Sequence, residues 1–330
     1  MDVARLHGPG DMRIAREPDP VPDAGEVLIR VTSVGLCGSD LHWFEDGRVG
    51  TTELAVPLVL GHEACGVVLT GPQAGTRVAL DPAAPCGACA TCRDRLEWLC
   101  PQGRFAGHAP VDGALQEFMA WPADLLVALP DSIRDPDAAL LEPLGVALHA
   151  VDLSGIVTGM RAAVLGCGPI GLLIVRALQA AGVTDLIAHD PLAHRMVAAE
   201  NSGGIPFDPS TIAGLPGVDV AFEASGDGDA LAAAIRVTRP GGRVVLVGIP
   251  ADDQTTLPAS AVRRKELTFV VCRRMTPTDL TRAVGLVNSN HVSLDGLVTD
   301  VFELRDAPAA FAALARRRGL KVVVRPAGRT

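Results

Sequence analysis

Ala162-Ala-Val-Leu-Gly-Cys-Gly-Pro-Ile-Gly-Leu-Leu-Ile-Val-Arg-Ala-Leu-Gln-Ala-Ala181 decides the fold. Four apolar residues read as a buried strand, and Leu172 to Ala181 reads as a helix. Between them, Gly166-Cys-Gly-Pro-Ile-Gly171 matches G-x-G-x-x-G in the strand-to-helix context that gives the pattern its meaning. Gly166 and Gly168 permit a tight turn and let the backbone approach a pyrophosphate. Gly171 lets helix and strand pack closely, and Pro169 and Ile170 open the helix whose N-terminal amides suit phosphates. An acidic residue is expected about 20 residues on, after the next strand, to accept the ribose hydroxyls. Asp190 follows Leu186-Ile-Ala-His189 and fills that place. Its charge opposes a 2′-phosphate, so NAD is expected over NADP. Arg195 stands close enough in sequence to stack on adenine or to support a phosphate.

Working outward, a helix over Leu192 to Asn201, a strand at Val218–Phe222, a helix near Asp229–Val237 and a strand at Arg243–Ile249 continue the alternation. Such alternation predicts βαβ units and a doubly wound parallel sheet. Residues 149–287 are therefore read as an NAD-binding Rossmann domain. Residues 1–148 differ, with short β-type runs broken by Gly and Pro, such as Val27–Val34 and Glu117–Trp121. They are read as a mostly β catalytic domain. Residues 288–330 carry a helix, Ala307 to Arg317, and a strand, Lys321–Val324, expected to return to the first domain. Arg316-Arg317-Arg318 closes that helix, where cations suit the dipole.

The chain has 330 residues, too many for a single ordinary core. No apolar run approaches the ~20 residues needed to span a bilayer, and the N-terminus lacks the features of a signal peptide. A cytoplasmic protein without a membrane partner is expected. The formal net charge of −9 argues against a nucleic-acid partner.

Of eight cysteines, Cys86, Cys89, Cys92 and Cys100 crowd into one short lobe, a spacing that closes a tetrahedron around a structural zinc. A second set is dispersed: Cys37, His62, Glu63 and Glu142. A thiolate, an imidazole and a carboxylate make a three-ligand zinc site that leaves a position for water or substrate. Taken singly, each has an ordinary explanation as a core thiol, a hydrogen-bonded imidazole or a capping acid.

With these residues in view, the chain resembles the zinc-containing medium-chain dehydrogenases, and among them the sorbitol (L-iditol) dehydrogenase branch. The likeness runs essentially end to end. It is carried by Val34-Gly-Leu-Cys-Gly-Ser-Asp-Leu-His42, the following Trp43 to Gly50, Leu60-Gly-His-Glu-Ala64, the four-cysteine lobe, and Leu141-Glu-Pro-Leu-Gly-Val-Ala-Leu-His-Ala150. The resemblance implies a GroES-like catalytic domain and two zinc ions per chain. It assigns Cys37, His62 and Glu63 to the catalytic zinc, with Glu142 either binding it, holding its water or meeting substrate; the choice between Glu63 and Glu142 stays open. It implies that Val247, Gly248, Ile249, Cys272 and Arg273 complete the cofactor site, Arg273 also touching substrate. Homodimers or homotetramers are common in this family.

Ser39 is placed to accept the substrate's hydroxyl proton and His42 to pass it on. The expected reaction is NAD-linked oxidation of a secondary alcohol of a small polyol. Cyclitol, aminocyclitol or threonine oxidation on the same scaffold, and a catalytically idle zinc-stabilised binding protein, are the alternatives. Three features depart from the family: Arg274 where an aromatic is usual, the short segment Val67 to Val78, and the absence of Tyr.

Overall fold

A computed structural model describes residues 1–211, 217–251 and 253–326. The chain divides into two compact units. One comprises residues 1–142, 276–290 and 294–326; the other comprises residues 143–275 and 291–293.

In the second unit six strands form one parallel sheet. In spatial order they are Ile205–Pro206, Asp185–His189, Arg161–Leu165, Val218–Glu223, Thr238–Leu246 and Thr268–Val271. That order, 3-2-1-4-5-6 by position in the unit, is the doubly wound dinucleotide-binding arrangement. Helices Pro169–Ala180, Ala193–Asn201 and Gly228–Val237 connect successive strands. Ala163, Leu165, Ile187, Ala221 and Val244 on the strands pack with Leu231, Ala234 and Ile235 of the last of these helices. Because every strand runs the same way, residues 166–171, 190, 223, 247–249 and 272–273 all emerge at one edge of the sheet.

The first unit is built around a seven-stranded sheet in which Glu26–Gly35 is central. It pairs antiparallel with Glu63–Val68, Phe118–Pro122 and the C-terminal strand Lys321–Arg325. Val298–Glu303 lies beyond that last strand, parallel to it. Its core includes Ile29, Val31, Leu60, Trp121, Phe311 and Val324.

The chain passes between the units at 142/143, 275/276, 290/291 and 293/294, the first two earlier than the lines drawn at 148 and 287. Helix Asp279–Asn288 belongs to the first unit, where Ser132 Oγ donates to Asn288 Oδ1 at 2.8 Å. The helix Ala307–Ala315 ends before the arginine run; Arg316 is its C-cap and Arg317 adopts φ 50°.

Candidate active site

The four-cysteine lobe is compact. Cys86 and Cys100 lie 3.5 Å apart, Cys89 and Cys92 3.5 Å, Cys89 and Cys100 3.7 Å, and Cys86 and Cys92 4.0 Å, measured sulfur to sulfur. A tetrahedron with metal–sulfur bonds of ~2.3 Å has edges of about 3.8 Å. The four thiols therefore fit one zinc ion with no vacant position. Backbone N–H groups of Ala88, Cys92 and Cys86 point at Cys86, Cys89 and Cys100 respectively and hold those thiols below their ordinary range. Gly87, at φ 70°, makes the turn between the first two thiols.

In the same unit Cys37, His62 and Glu63 converge, each offering one ligand atom within 4.8 Å of the others. Cys37 is the N-cap of helix Gly38–Asp46, and its thiol sits where the central strand Glu26–Gly35 has just ended. Glu63 opens the neighbouring strand Glu63–Val68, where it pairs with Gly35, and His62 immediately precedes it. A soft thiolate, an imidazole and a carboxylate at one point suit zinc with a position left open.

Asp40 organises this convergence, a role the sequence reading had not assigned. Its carboxylate is fully buried; Oδ2 accepts the N–H of Cys37 at 2.9 Å and Oδ1 the N–H of Gly61 at 3.1 Å. Nδ1 of His62 faces Oδ1 at 3.5 Å, which leaves Nε2 free to serve as a ligand atom. Burial alone would push the Asp40 carboxyl up, but His62 and the two N–H donors outweigh it and hold it low. Burial opposes protonation of His62, and Asp40 more than offsets that, raising it well above its ordinary value. Such a carboxylate behind a metal-binding imidazole fixes the ring and strengthens it as a ligand. Its sequence signal was the third helical position after Cys37, the place from which an acid reaches back to the cap.

Glu142 is the second residue of helix Leu141–Ser154 and is buried. Burial pushes its carboxyl up to about 7; His62 and Lys321 act against that, and Glu63 and Asp81 with it. Glu142 therefore stands within electrostatic reach of the three-residue cluster without belonging to it. Lys321 is the second residue missed. It is 2% exposed and its Nζ forms an ion pair with Glu63, itself 1% exposed. Nothing local in Lys321-Val-Val-Val324 signals this. Only the pairing of the terminal strand with Glu26–Gly35 places the lysine there.

Ser39 and His42 are both half-buried on helix Gly38–Asp46, three residues apart and so on one face. His42 Nδ1 lies 3.2 Å from Asp46 Oδ2, a partner that orients the ring. The Phe105 ring lies 5.4 Å from that of His62, and Trp43 meets His108 edge-on at 5.4 Å.

In the other unit, Gly166 adopts φ 92°, and a Cβ on Gly171 would collide with the carbonyl of Gly166, so the turn requires glycine at both places. Gly168 caps helix Pro169–Ala180. Ile170 occupies the first turn after Pro169. Asp190 accepts the N–H of Cys167 at 2.8 Å and of Leu192 at 2.9 Å. Arg195 approaches Asp190 at 3.6 Å, and a Cβ on Gly168 would stand 3.5 Å from its guanidinium. Val247 and Gly248 donate to the carbonyl of Glu223 at 2.8 and 3.0 Å. Ile249 is half exposed beyond them. Cys272 is buried, its N–H bonded to the Leu246 carbonyl at 2.9 Å, and Arg273 is exposed. A glycine turn, a helix N-terminus and an acid at the second strand end together fit a dinucleotide.

Two family models match the chain: the alcohol dehydrogenase GroES-like domain over residues 23–131 and the zinc-binding dehydrogenase domain over residues 169–289. Sorbitol dehydrogenase of Bacillus subtilis is 33% identical, with 99% of this chain and 97% of that one covered. D-xylulose reductase of Saccharomyces cerevisiae is 34% identical over 93% of this chain and 92% of its own length. The solved structure of L-idonate 5-dehydrogenase from Escherichia coli superposes with a TM-score of 0.92 at 27% identity, covering 98% of this chain and 97% of that one.

Proposed function

The chain belongs to the zinc-dependent medium-chain alcohol dehydrogenases, and on that premise we propose that it oxidises a secondary hydroxyl of a small polyol to a ketone, with NAD as hydride acceptor and the reverse reduction available. The observation that carries this reading is the meeting of Cys37, His62 and Glu63 at one point.

Cys37, His62 and Glu63 hold the catalytic zinc, and the four-cysteine lobe holds a second, structural one. When bound, the catalytic ion supplies Lewis acidity that makes a coordinated hydroxyl easier to deprotonate. The protein's own residues then manage the proton. Ser39 accepts it from the substrate hydroxyl. His42, oriented by Asp46, carries it towards solvent. Glu142, whose carboxyl lies at about 7, is able to hold a proton or a water beside the reacting oxygen. Arg273 contributes a hydrogen-bond donor for substrate or the nicotinamide side. Gly166, Gly168, Pro169, Ile170 and Gly171 receive the pyrophosphate. Asp190 takes the ribose hydroxyls, its negative charge favouring NAD over NADP, and Arg195 covers the adenine. Val247, Gly248, Ile249 and Cys272 line the nicotinamide end.

No helix among the described residues is long and apolar enough to cross a membrane. Eight free thiols suit the reducing cytoplasm, where this reading places the enzyme. Val271, 71% exposed on the edge strand Thr268–Val271, supports a homodimer or homotetramer formed along that edge.

The test is a comparison of initial rates with sorbitol, xylitol, an inositol and threonine, each with NAD and with NADP, following reduced cofactor. Fastest turnover of a linear polyol with NAD is expected. Preference for the inositol or threonine would reassign the substrate, and equal rates with NADP would remove the role given to Asp190.

A further inference from the structure

Lys321 is a buried cation among acids. Among the described residues no other lysine or arginine is so deeply enclosed. Burying an ammonium group is unfavourable unless it is paired, and the charged groups around this one are Glu63, Cys37 and Glu142. The sheet puts them together. Gly35 pairs with Glu63 on one side and with Val323 on the other, and Lys321, two residues before Val323, shares that strand's face. A Cβ at Gly35 would lie 2.7 Å from Lys321 Cε and would also strike the Glu63 carboxylate, so the central strand ends in the one residue that leaves room for the pair.

The charges explain why a lysine belongs here. Cys37 as thiolate and Glu63 as carboxylate already match the two charges of a divalent cation, and Lys321 offsets the further negative charge that neighbouring Glu142 carries when ionised. Asp40 faces His62 and the N–H groups of Cys37 and Gly61 instead of the ammonium group. One oxygen of Glu63, Oε2, is engaged by the ammonium group.

We propose that Lys321 is a positioning residue that acts on the metal through Glu63: by holding one carboxylate oxygen it leaves Glu63 a single oxygen to offer, and its charge keeps the ion from being gripped too tightly. This rests on the zinc site proposed above and adds to it the residue that sets how Glu63 binds. Without Lys321, Glu63 would be free to offer both oxygens to the cation.

The test is zinc release from the holoprotein into excess chelator, followed with a chromogenic indicator. The phase missing from Cys37→Ser protein belongs to the Cys37 site. Lys321→Met is expected to slow that phase on the order of tenfold, as loss of a nearby positive charge strengthens cation binding, and Lys321→Arg to restore the wild-type rate. Cobalt-substituted Lys321→Met is expected to absorb more weakly in the visible, because a second carboxylate oxygen raises the coordination number. Lys321→Gln keeps an N–H donor without the charge; it serves as the second variant should the methionine protein not fold, with the same slowing expected. A merely structural lysine predicts release that is unchanged or faster, together with an unchanged cobalt spectrum, and either result overturns the proposal. Failure of the underlying site looks different, since wild type and Cys37→Ser would then release the same zinc in the same phases.

Discussion

Asp40 accepts backbone N–H groups from both loops that carry candidate ligands, so one carboxylate ties the register of Cys37 to that of His62. Asp40→Asn preserves the size of the side chain but not its charge. It is expected to weaken zinc binding at the Cys37 site by roughly 10–100-fold; a wild-type affinity in a chelator competition would show that backbone geometry alone positions the ligands. His42 lies on the same helix, one turn beyond Ser39, and Asp46 fixes its ring. His42→Ala is expected to lower kcat by roughly 10²-fold and to flatten its dependence on pH. A profile that keeps its shape and height would route the proton elsewhere. Asp40 and Lys321 differ in how readable they were. Asp40 sits three residues from Cys37, and a local rule about helix caps reaches it. Lys321 is brought to Glu63 by strand pairing between the two ends of the chain, and no local pattern reports that.

Elements were legible where the chain repeats a period. Arg161–Leu165, Asp185–His189 and Val218–Glu223 are buried on both faces and read as short apolar runs, while the glycine turn and Asp190 mark where the first two end. The first unit was less legible, because two-residue strands such as Leu58–Val59 and Ala83–Ala84 are too short to show alternation and are held by tertiary pairing. Helix Ala307–Ala315 packs on the paired strands Val298–Glu303 and Lys321–Arg325. Its Phe311 is fully buried and stacks on Phe44 at 4.8 Å. Phe311→Ala is expected to cost about 3–5 kcal/mol in urea denaturation; a loss below 1 kcal/mol would mean that the helix is docked by other contacts. At the N-terminal sheet, Arg5 hydrogen-bonds Glu17 and Asp112 together. That bond from Arg5 holds the Glu17 carboxyl below the usual ~4.3 of a free glutamate. A carboxyl lowered by folding stabilises the protein above its unfolded value and ceases to do so as pH falls through the folded one. Thermal melts should therefore show Glu17→Gln less stable than wild type at neutral pH, by at most ~1 kcal/mol for a partly exposed pair, with the gap closing below about pH 4. A gap that persists in acid would assign it to packing.

At the scale of the molecule, the first unit is completed by chain from both ends. Residues 1–142 supply Cys37, His62, Glu63 and Glu142, and the strand Lys321–Arg325 supplies the lysine among them. The second unit keeps its glycine turn, Asp190 and the strand ends on one edge of a parallel sheet. The two clusters of donors are the basis for the proposed pair of zinc ions, one site closed by four thiols and one with a position open. The direct measurement is zinc content per chain in purified wild-type and Cys37→Ser protein. The account predicts two ions in the first and one in the second, with the four-cysteine lobe still filled. One ion in both, or two in both, would contradict it.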